Sequence, residues 1–365
     1  TTKSAAGPKP EGLDAYNVVW ETASENYGGT MPLGNGDIGL NVWVEADGDL
    51  QFFISKTDAW DDNARLVKVG KVRVQFEPNP FAAGRAFSQT LSLGEGTLKV
   101  VAGEGDQRAV IEVWVDANRP VIHVTSRSAT PLAATASIEL WRIEQRPYTD
   151  LQVSDIMVNR RLPGGQQEPT VLEPDTVLAN QTGRIGWFHH NVKSVGPKLL
   201  GEVQGLDGFP QEDPLLHRTF GAVITAPNGQ RVDDLHLHCP AAAEQRLNVF
   251  VMTQHPATPE QWLAAMEKTI ADVEQYPFEA RCAGHRLWWM EFWDRSWIRA
   301  SLRPGAEAAA DSAVPANPHS VRLGIDQHGG NRWAGELGRV SIFGRALNDA
   351  EVQQLAKLGR HTVDG

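Results

Sequence analysis

Cysteine is nearly absent: Cys239 and Cys282 are the two found in 365 residues. That is too few for a disulfide framework, and their separation excludes a CxxC metal or redox motif. Two thiols are expected, with one bridge between them as the alternative. Long apolar runs are missing as well, none approaching the ~18 residues of a membrane span, so no membrane partner is expected. Basic charge is in deficit: 34 Lys and Arg against 45 Asp and Glu leave a net charge of −11. No basic run exceeds Arg160 and Arg161, and phosphate backbones need a basic face, so nucleic acid is excluded as a partner. No GxSxG is present, which removes support for a serine nucleophile on an elbow. Tyrosine is scarce at 4, whereas Trp and Phe each number 12. Tryptophan serves cores and stacking platforms, including those for sugar rings.

What is present reads as strands. From 17 to 255 short apolar segments alternate with turn signals, which predicts a large antiparallel sandwich. Residues 37–44 and 50–55 form a predicted hairpin, and others are expected across 94–96, 116–120 and 227–229. Segment 66–76, LVKVGKVRVQF, alternates at period two, so Lys68, Lys71 and Arg73 are expected to face solvent or a partner. Between 146 and 175 the polar, Pro- and Gly-bearing chain reads as an excursion from the sheet. At Thr258 the period changes: Thr258 and Gln261 make a capping box with Pro259 at the first helical position, and Trp262, Met266, Ile270 and Val273 mark one face. A second helix is predicted over 278–297, with Trp289, Trp293 and Trp297 spaced by four. Residues 303–320, rich in Ala and Pro, read as a linker.

Several groups of residues could carry chemistry. The run GNGDIG, residues 34–39, lacks the Lys and Ser/Thr of a P-loop and precedes a strand where a dinucleotide fingerprint opens a helix. It is a tight turn or a shaped loop. His189, His190 and Asn191 lie in WFHHN; on a strand adjacent side chains face opposite ways, so the two histidines share an ion only if the segment is a loop. His236 and His238 share one strand face below Asp233 and Asp234 without further ligands at diagnostic spacing. Trp60, Asp61, Asp62 and Asn63 bring a ring face and hydroxyl acceptors together, as a sugar site requires, and equally suit a turn. A glycoside hydrolase needs two carboxylates roughly 5 to 9.5 Å apart, and 45 acidic residues do not single out a pair.

The segments MPLGNGDIGLNVWVEADGDLQFFISKTDAWDDNARLVKVGKVRVQFEPNPF, WFHHN, DPLLHRTFGAVI and HRLWWMEFWDRSWI, in that order, resemble the bacterial domain of unknown function 5703. That family is itself similar to the N-terminal β-supersandwich of glycoside hydrolase family 95, which carries a comparable PLGNG run. The resemblance covers about residues 17–298. It implies a mainly β fold: a large antiparallel β-supersandwich over 1–257, one or two linker helices over 258–300, and then, in those relatives, a helical barrel holding the catalytic carboxylates. Here the Ala/Pro linker of 301–320 follows instead, so no catalytic residue carries over. Residues 321–355 resemble the closing strands of a concanavalin A-like, laminin-G-like lectin domain, which implies a short β-rich C-terminal fragment over 321–365.

The expectation is therefore a carbohydrate-associated, non-catalytic part of a glycoside-hydrolase-like protein. It would be secreted or periplasmic, with any leader already removed, and would bind or position a polysaccharide or oligosaccharide beside a missing helical-barrel domain. Asn35, Asp37, Trp60, Asp61, His189, His190 and Asn191 are the candidate sugar-facing or barrel-facing rim, with Trp60 stacking on a ring. No cofactor or metal is expected; Asp326 and Asp349 are too few hard ligands for calcium. An active hydrolase with its carboxylate pair on the sandwich, and a structural remnant that binds nothing, are the alternatives.

Overall fold

Period-two alternation should put one face of each strand inward, and the computed structural model shows where those faces meet. It describes residues 12–295 apart from 46–47, 149–169, 195–200, 202–203, 207 and 210–211. The expected lectin-like tail, the 303–320 linker and the last residues of the second helix lie outside the described residues. The strands are β1 (Val18–Trp20), β2 (Met31–Gly34), β3 (Ile38–Val44), β4 (Leu50–Lys56), β5 (Gly70–Glu77), β6 (Phe87–Ser92), β7 (Thr97–Ala102) and β8 (Ala109–Val115). They continue as β9 (Val121–Glu139), β10 (Arg146–Pro147), β11 (Val171–Leu172), β12 (Thr176–Val177), β13 (Arg184–His190), β14 (Thr219–Thr225), β15 (Gln230–Arg231) and β16 (His236–Gln254). Helices α1 (Pro259–Glu274) and α2 (Phe278–Arg295) follow.

Fourteen of the strands form one antiparallel sheet that folds into two layers. The first runs β1-β6-β7-β8-β9-β16-β14-β13-β12, and the second runs β2-β3-β4-β5-β9-β16-β15. The layers share β9 and β16, each 19 residues long. The early part of β9 pairs with β8 and its late part with β5, while β16 accompanies it throughout. Both long strands carry proline near the crossing, Pro131 and Pro240, and the register shifts between Cys239 and Glu244. Proline removes a ladder donor and is confined to edges and bulges, so the bend falls where pairing is already broken. The buried Gln245 amide donates to the carbonyls of Leu132 (2.6 Å) and Pro240 (2.7 Å), satisfying acceptors at the kink.

One apolar cluster fills the space between the layers, from Leu40, Val42 and Phe52 on one side to Val100, Ile111 and Trp187 on the other. A second lies outside the first layer. There Trp262, Met266, Ile270 and Val273 of α1 pack on Val121, Phe188 and Phe250, the face expected from the spacing. Thr258 forms the expected capping box.

Several expectations are corrected. Turn 227–229 joins β14 to β15, but these do not pair: each pairs with β16, so the turn makes no hairpin. Strand β5 starts at Gly70 rather than Leu66, because the segment before it pairs with the loop after β4: Leu66 bridges to Trp60 and the Val67 N–H donates to the Ala59 carbonyl. The basic residues of this segment lie on the expected outward face, Lys68 exposed and Lys71 and Arg73 half-buried. Lys68 lies over the Phe53 ring, Lys71 pairs with Glu139 and covers Trp43, and Arg73 pairs with Asp49 and Glu139. The excursion from 146 begins and ends in a ribbon, β10 on β11.

Candidate functional site

The glycine run forms the β2–β3 turn. Gly36 has φ +91°, and a Cβ on Gly34 would stand 2.9 Å from the carbonyl oxygen of Ile38, so the backbone here is too close for a side chain. Asn35 closes the turn: its Oδ1 accepts from the N–H groups of Asp37 (3.0 Å) and Ile38 (2.8 Å). Its Nδ2 donates to the carbonyl of Asp116 (2.8 Å), tying this turn to the β8–β9 turn of the other layer. Next to it the half-exposed Asp37 carboxylate accepts from Lys56 Nζ (3.0 Å) and Thr57 Oγ1 (2.7 Å).

Trp60, Asp61, Asp62 and Asn63 sit in the loop after β4. The Trp60 ring is 38% exposed and its Nε1 donates to the Thr57 carbonyl (3.2 Å). The three polar residues after it are buried. Asp61 accepts from the N–H groups of Asn63 (2.9 Å) and Arg65 (3.0 Å) and from the Tyr148 hydroxyl. Asp62 accepts from the Lys193 N–H (2.8 Å), and Asn63 Nδ2 donates to the Val171 carbonyl (2.9 Å). Each of the three side chains makes at least one of these hydrogen bonds, which offsets part of the cost of burying it, while Asp62 Oδ2 and Asn63 Oδ1 are buried without a hydrogen-bond partner.

The end of β13 meets this loop. Adjacent on the strand, His189 and His190 part as alternation requires. His189 is 1% exposed, stacks on Phe220, and lies with Nδ1 3.1 Å from Asp175 Oδ1 and Nε2 3.5 Å from Asp62 Oδ2. Asp175 Oδ1 also accepts from Nε of the buried Arg142 (2.8 Å), whose other nitrogens donate to the carbonyls of Lys68 and Val69. Asn191 is buried, its amide donating to the carbonyls of Trp60 and Leu215, both at 3.0 Å. His190 is half-buried: it meets Thr219 Oγ1 at 2.7 Å and stacks on the exposed His217.

Burial alone would lower the His189 pKa, but its contacts with Asp175 and Asp62 outweigh that and hold it above the ordinary value. His190 goes the other way, depressed by burial and by the neighbouring His217. The two adjacent histidines are thus pushed in opposite directions, His189 toward its protonated form by the carboxylates around it and His190 toward its neutral form.

The structure therefore brings the seven expected residues to one end of the sandwich, with Asp37, Trp60, Asn191 and His189 linked through Thr57, the Trp60 carbonyl and Asp62. Asn35 joins them through the turn that carries Asp37. Trp60 is exposed and Asp37, His190 and Asn35 are half-buried, whereas Asp61, His189 and Asn191 are enclosed. Arg142, Asp175 and Lys193 belong to the same network and were not singled out in the sequence. Each reaches it across more than ten residues of chain, and no local spacing marks them. Asp62 and Asp175 flank His189, both closed from solvent. His236 meets Asp233 at the surface and His238 meets Thr135 Oγ1, and no group of three or more metal-ligating side chains occurs among the described residues. Both cysteines are free, with Cys239 buried and its thiol pushed by burial up to about 11.

Residues 19–298 match the model of a family described as a domain of unknown function, DUF5703. The chain belongs to this family. The DUF5703 match spans every element of the two-layer sandwich from β2 onward and both helices, as the quoted motifs implied. Among solved structures the chain is similar to a protein described as a kojibiose phosphorylase from the human microbiome, with 11% identity and a TM-score of 0.39. That similarity covers 76% of this chain and 38% of the other, so the DUF5703 chain spans well under half of that protein. No curated protein matches the chain. No described helix is long and apolar enough to cross a membrane.

Proposed function

We propose that this chain is a carbohydrate-associated, non-catalytic module that binds or positions a polysaccharide or oligosaccharide at the Trp60 end of its sandwich. The observation that carries the reading is the division of labour at that rim. One indole face is open beside half-buried hydrogen-bonding groups, while Asp61, Asp62 and Asp175 are enclosed and the one half-exposed carboxylate, Asp37, is held by Lys56 and Thr57. Trp60 stacks on a pyranose face, and Asp37, His190 and Asn35 meet hydroxyl groups. Asp61, His189 and Asn191 hold the loop that presents the ring. The layout proposed with it is a sandwich over 1–257, linker helices over 258–300, a linker over 301–320 and a lectin-like fragment over 321–365, in a secreted or periplasmic protein acting beside a helical barrel.

Isothermal titration against a panel of plant and algal oligosaccharides, with released reducing sugar assayed in the same samples, tests this. Binding without release is expected, and Trp60→Ala should weaken it about tenfold, the scale of one lost stacking contact. Sugar release would establish a catalytic pair on the sandwich, and silence across the panel would leave a structural remnant.

A further inference from the structure

Away from the Trp60 rim, the outer face of the first layer holds a groove of about 850 Å³ between strands β7, β8, β9 and β16 and helix α2. Its floor is held rigidly. Trp114 lies between His123 (ring centroids 4.1 Å apart) and His285 (4.7 Å), and burial keeps both imidazoles neutral, near 3 and near 4. At the helix side the Arg246 guanidinium covers the Phe278 ring at 4.4 Å.

The charges along this groove do not cancel. Two carboxylates are already taken: Glu244 pairs with Arg127 (3.0 Å) and Glu279 with Arg246 (3.3 Å). Lys99, Arg108 and Arg286 also line the groove and are exposed, and their side chains make no ion pair or hydrogen bond among the described residues. Against these three cations stands one unpaired carboxylate, Glu112, directly across the ladder from Lys99. A surplus of positive charge in a concave site on a chain of net charge −11 runs against the protein's average, and a cleft of one sign focuses its field on ligands of the other.

We propose that this groove is a second saccharide site, selective for carboxylate-bearing oligosaccharides, in which Lys99, Arg108 and Arg286 take the carboxylates. The proposal rests on the carbohydrate reading above and names a ligand class for a different surface. Three facts select this class. The volume falls in the range of ordinary ligand sites, roughly 300 to 1,000 Å³, and far exceeds one small anion. The free cations come from separate elements, β7, the segment before β8 and α2, so they suit a ligand with several spaced charges. Between them the Arg–Glu pairs offer donors and acceptors together, which hydroxyl groups use and a phosphate backbone does not. Guanidinium groups bind carboxylates in bidentate fashion, so Arg108 and Arg286 supply geometry as well as charge.

The test titrates the full chain with an oligogalacturonate and with a neutral glucan oligomer of equal length, each at low and high salt, and with a single-stranded oligonucleotide. The acidic oligomer should bind at least about tenfold more tightly at low salt and lose that advantage at high salt. Arg286→Ala and Lys99→Ala should each weaken it about threefold or more, and Arg286→Glu further. The salt-sensitive advantage of the acidic over the neutral oligomer should persist in Trp60→Ala. Because all three cations are exposed, these variants keep the fold. Equal binding of acidic and neutral oligomers, indifference to the groove variants, or equally tight binding of the oligonucleotide would overturn the proposal. Neutral binding lost in Trp60→Ala, without an acidic preference, would sink the groove and keep the rim; loss of all saccharide binding would sink both.

Discussion

At the scale of single residues, a histidine enclosed between two carboxylates gives folding a pH dependence of definite sign. The His189 pKa is raised on folding by Asp175 and Asp62 against the opposing effect of burial, while in the unfolded chain it is about 6.5. A raised folded pKa means that this contribution is fully present below the unfolded value and is lost as pH rises through the folded one. The stability difference between the wild type and His189→Gln, measured by urea titration, should therefore be larger at about pH 5.5 than at about pH 9. An equal or reversed difference would show that His189 folds uncharged. Arg142 answers Asp175 in the same network, with both side chains about 2% exposed or less. Arg142→Met removes the cation and leaves the carboxylate enclosed, so a loss of about 3–5 kcal/mol is expected in the same titration. Of this network the sequence shows Asp61, Asp62, His189 and Asn191, because each lies in a conspicuous local run. Arg142 and Asp175 were invisible: an isolated arginine and an isolated aspartate acquire their roles only when β10 and β11 return the chain to the Trp60 loop.

The two helices, seen as elements, attach to the sheet by different physics. In α1 every spacing cue agrees, and Trp262, Met266, Ile270 and Val273 are buried as their period demands. Thr258→Ala should cost about 1 kcal/mol by removing its cap, readable as a lower midpoint in chemical denaturation. Helix α2 looks, from its tryptophans, like the more strongly anchored of the two, yet its buried residues are Arg281 and His285. Its rings instead lean on the β6–β7 turn: Trp293 Nε1 donates to the Leu93 carbonyl (2.6 Å) and Trp289 covers Gly96. At Gly96, φ is +58° and an added Cβ would fall 2.0 Å from the Trp289 indole nitrogen. Gly96→Ala should therefore displace that ring and red-shift the tryptophan emission, with the β-sheet circular dichroism retained; an unchanged spectrum would mean that α2 is held elsewhere. The aromatic spacing predicted a helix correctly and its anchoring residues poorly, because the partner surface is a polar turn that periodicity does not describe.

For the whole molecule the decisive feature is that two strands belong to both layers. Strand-by-strand reading found the sandwich but not the sharing, since a 19-residue strand with an internal proline reads as two strands with a turn. The bend costs ladder bonds at the kink, which the Gln245 amide offsets, and it places Ile122 and Val124 before the bend with Leu132 and Ile138 after it in one core. Opening either layer must strip partners from β9 and β16, so the layers should unfold together. Leu40→Ala in β3 empties a site in the shared cluster and should cost about 2–5 kcal/mol. Native-state hydrogen exchange then gives the test, because amides that exchange by global opening all accelerate by the same factor. Amides of β8, in the opposite layer and unpaired with β3, should quicken as much as those of β3 itself. If acceleration stayed within β2, β3 and β4, the second layer would open alone, and β9 and β16 would act as a hinge between two independent sheets.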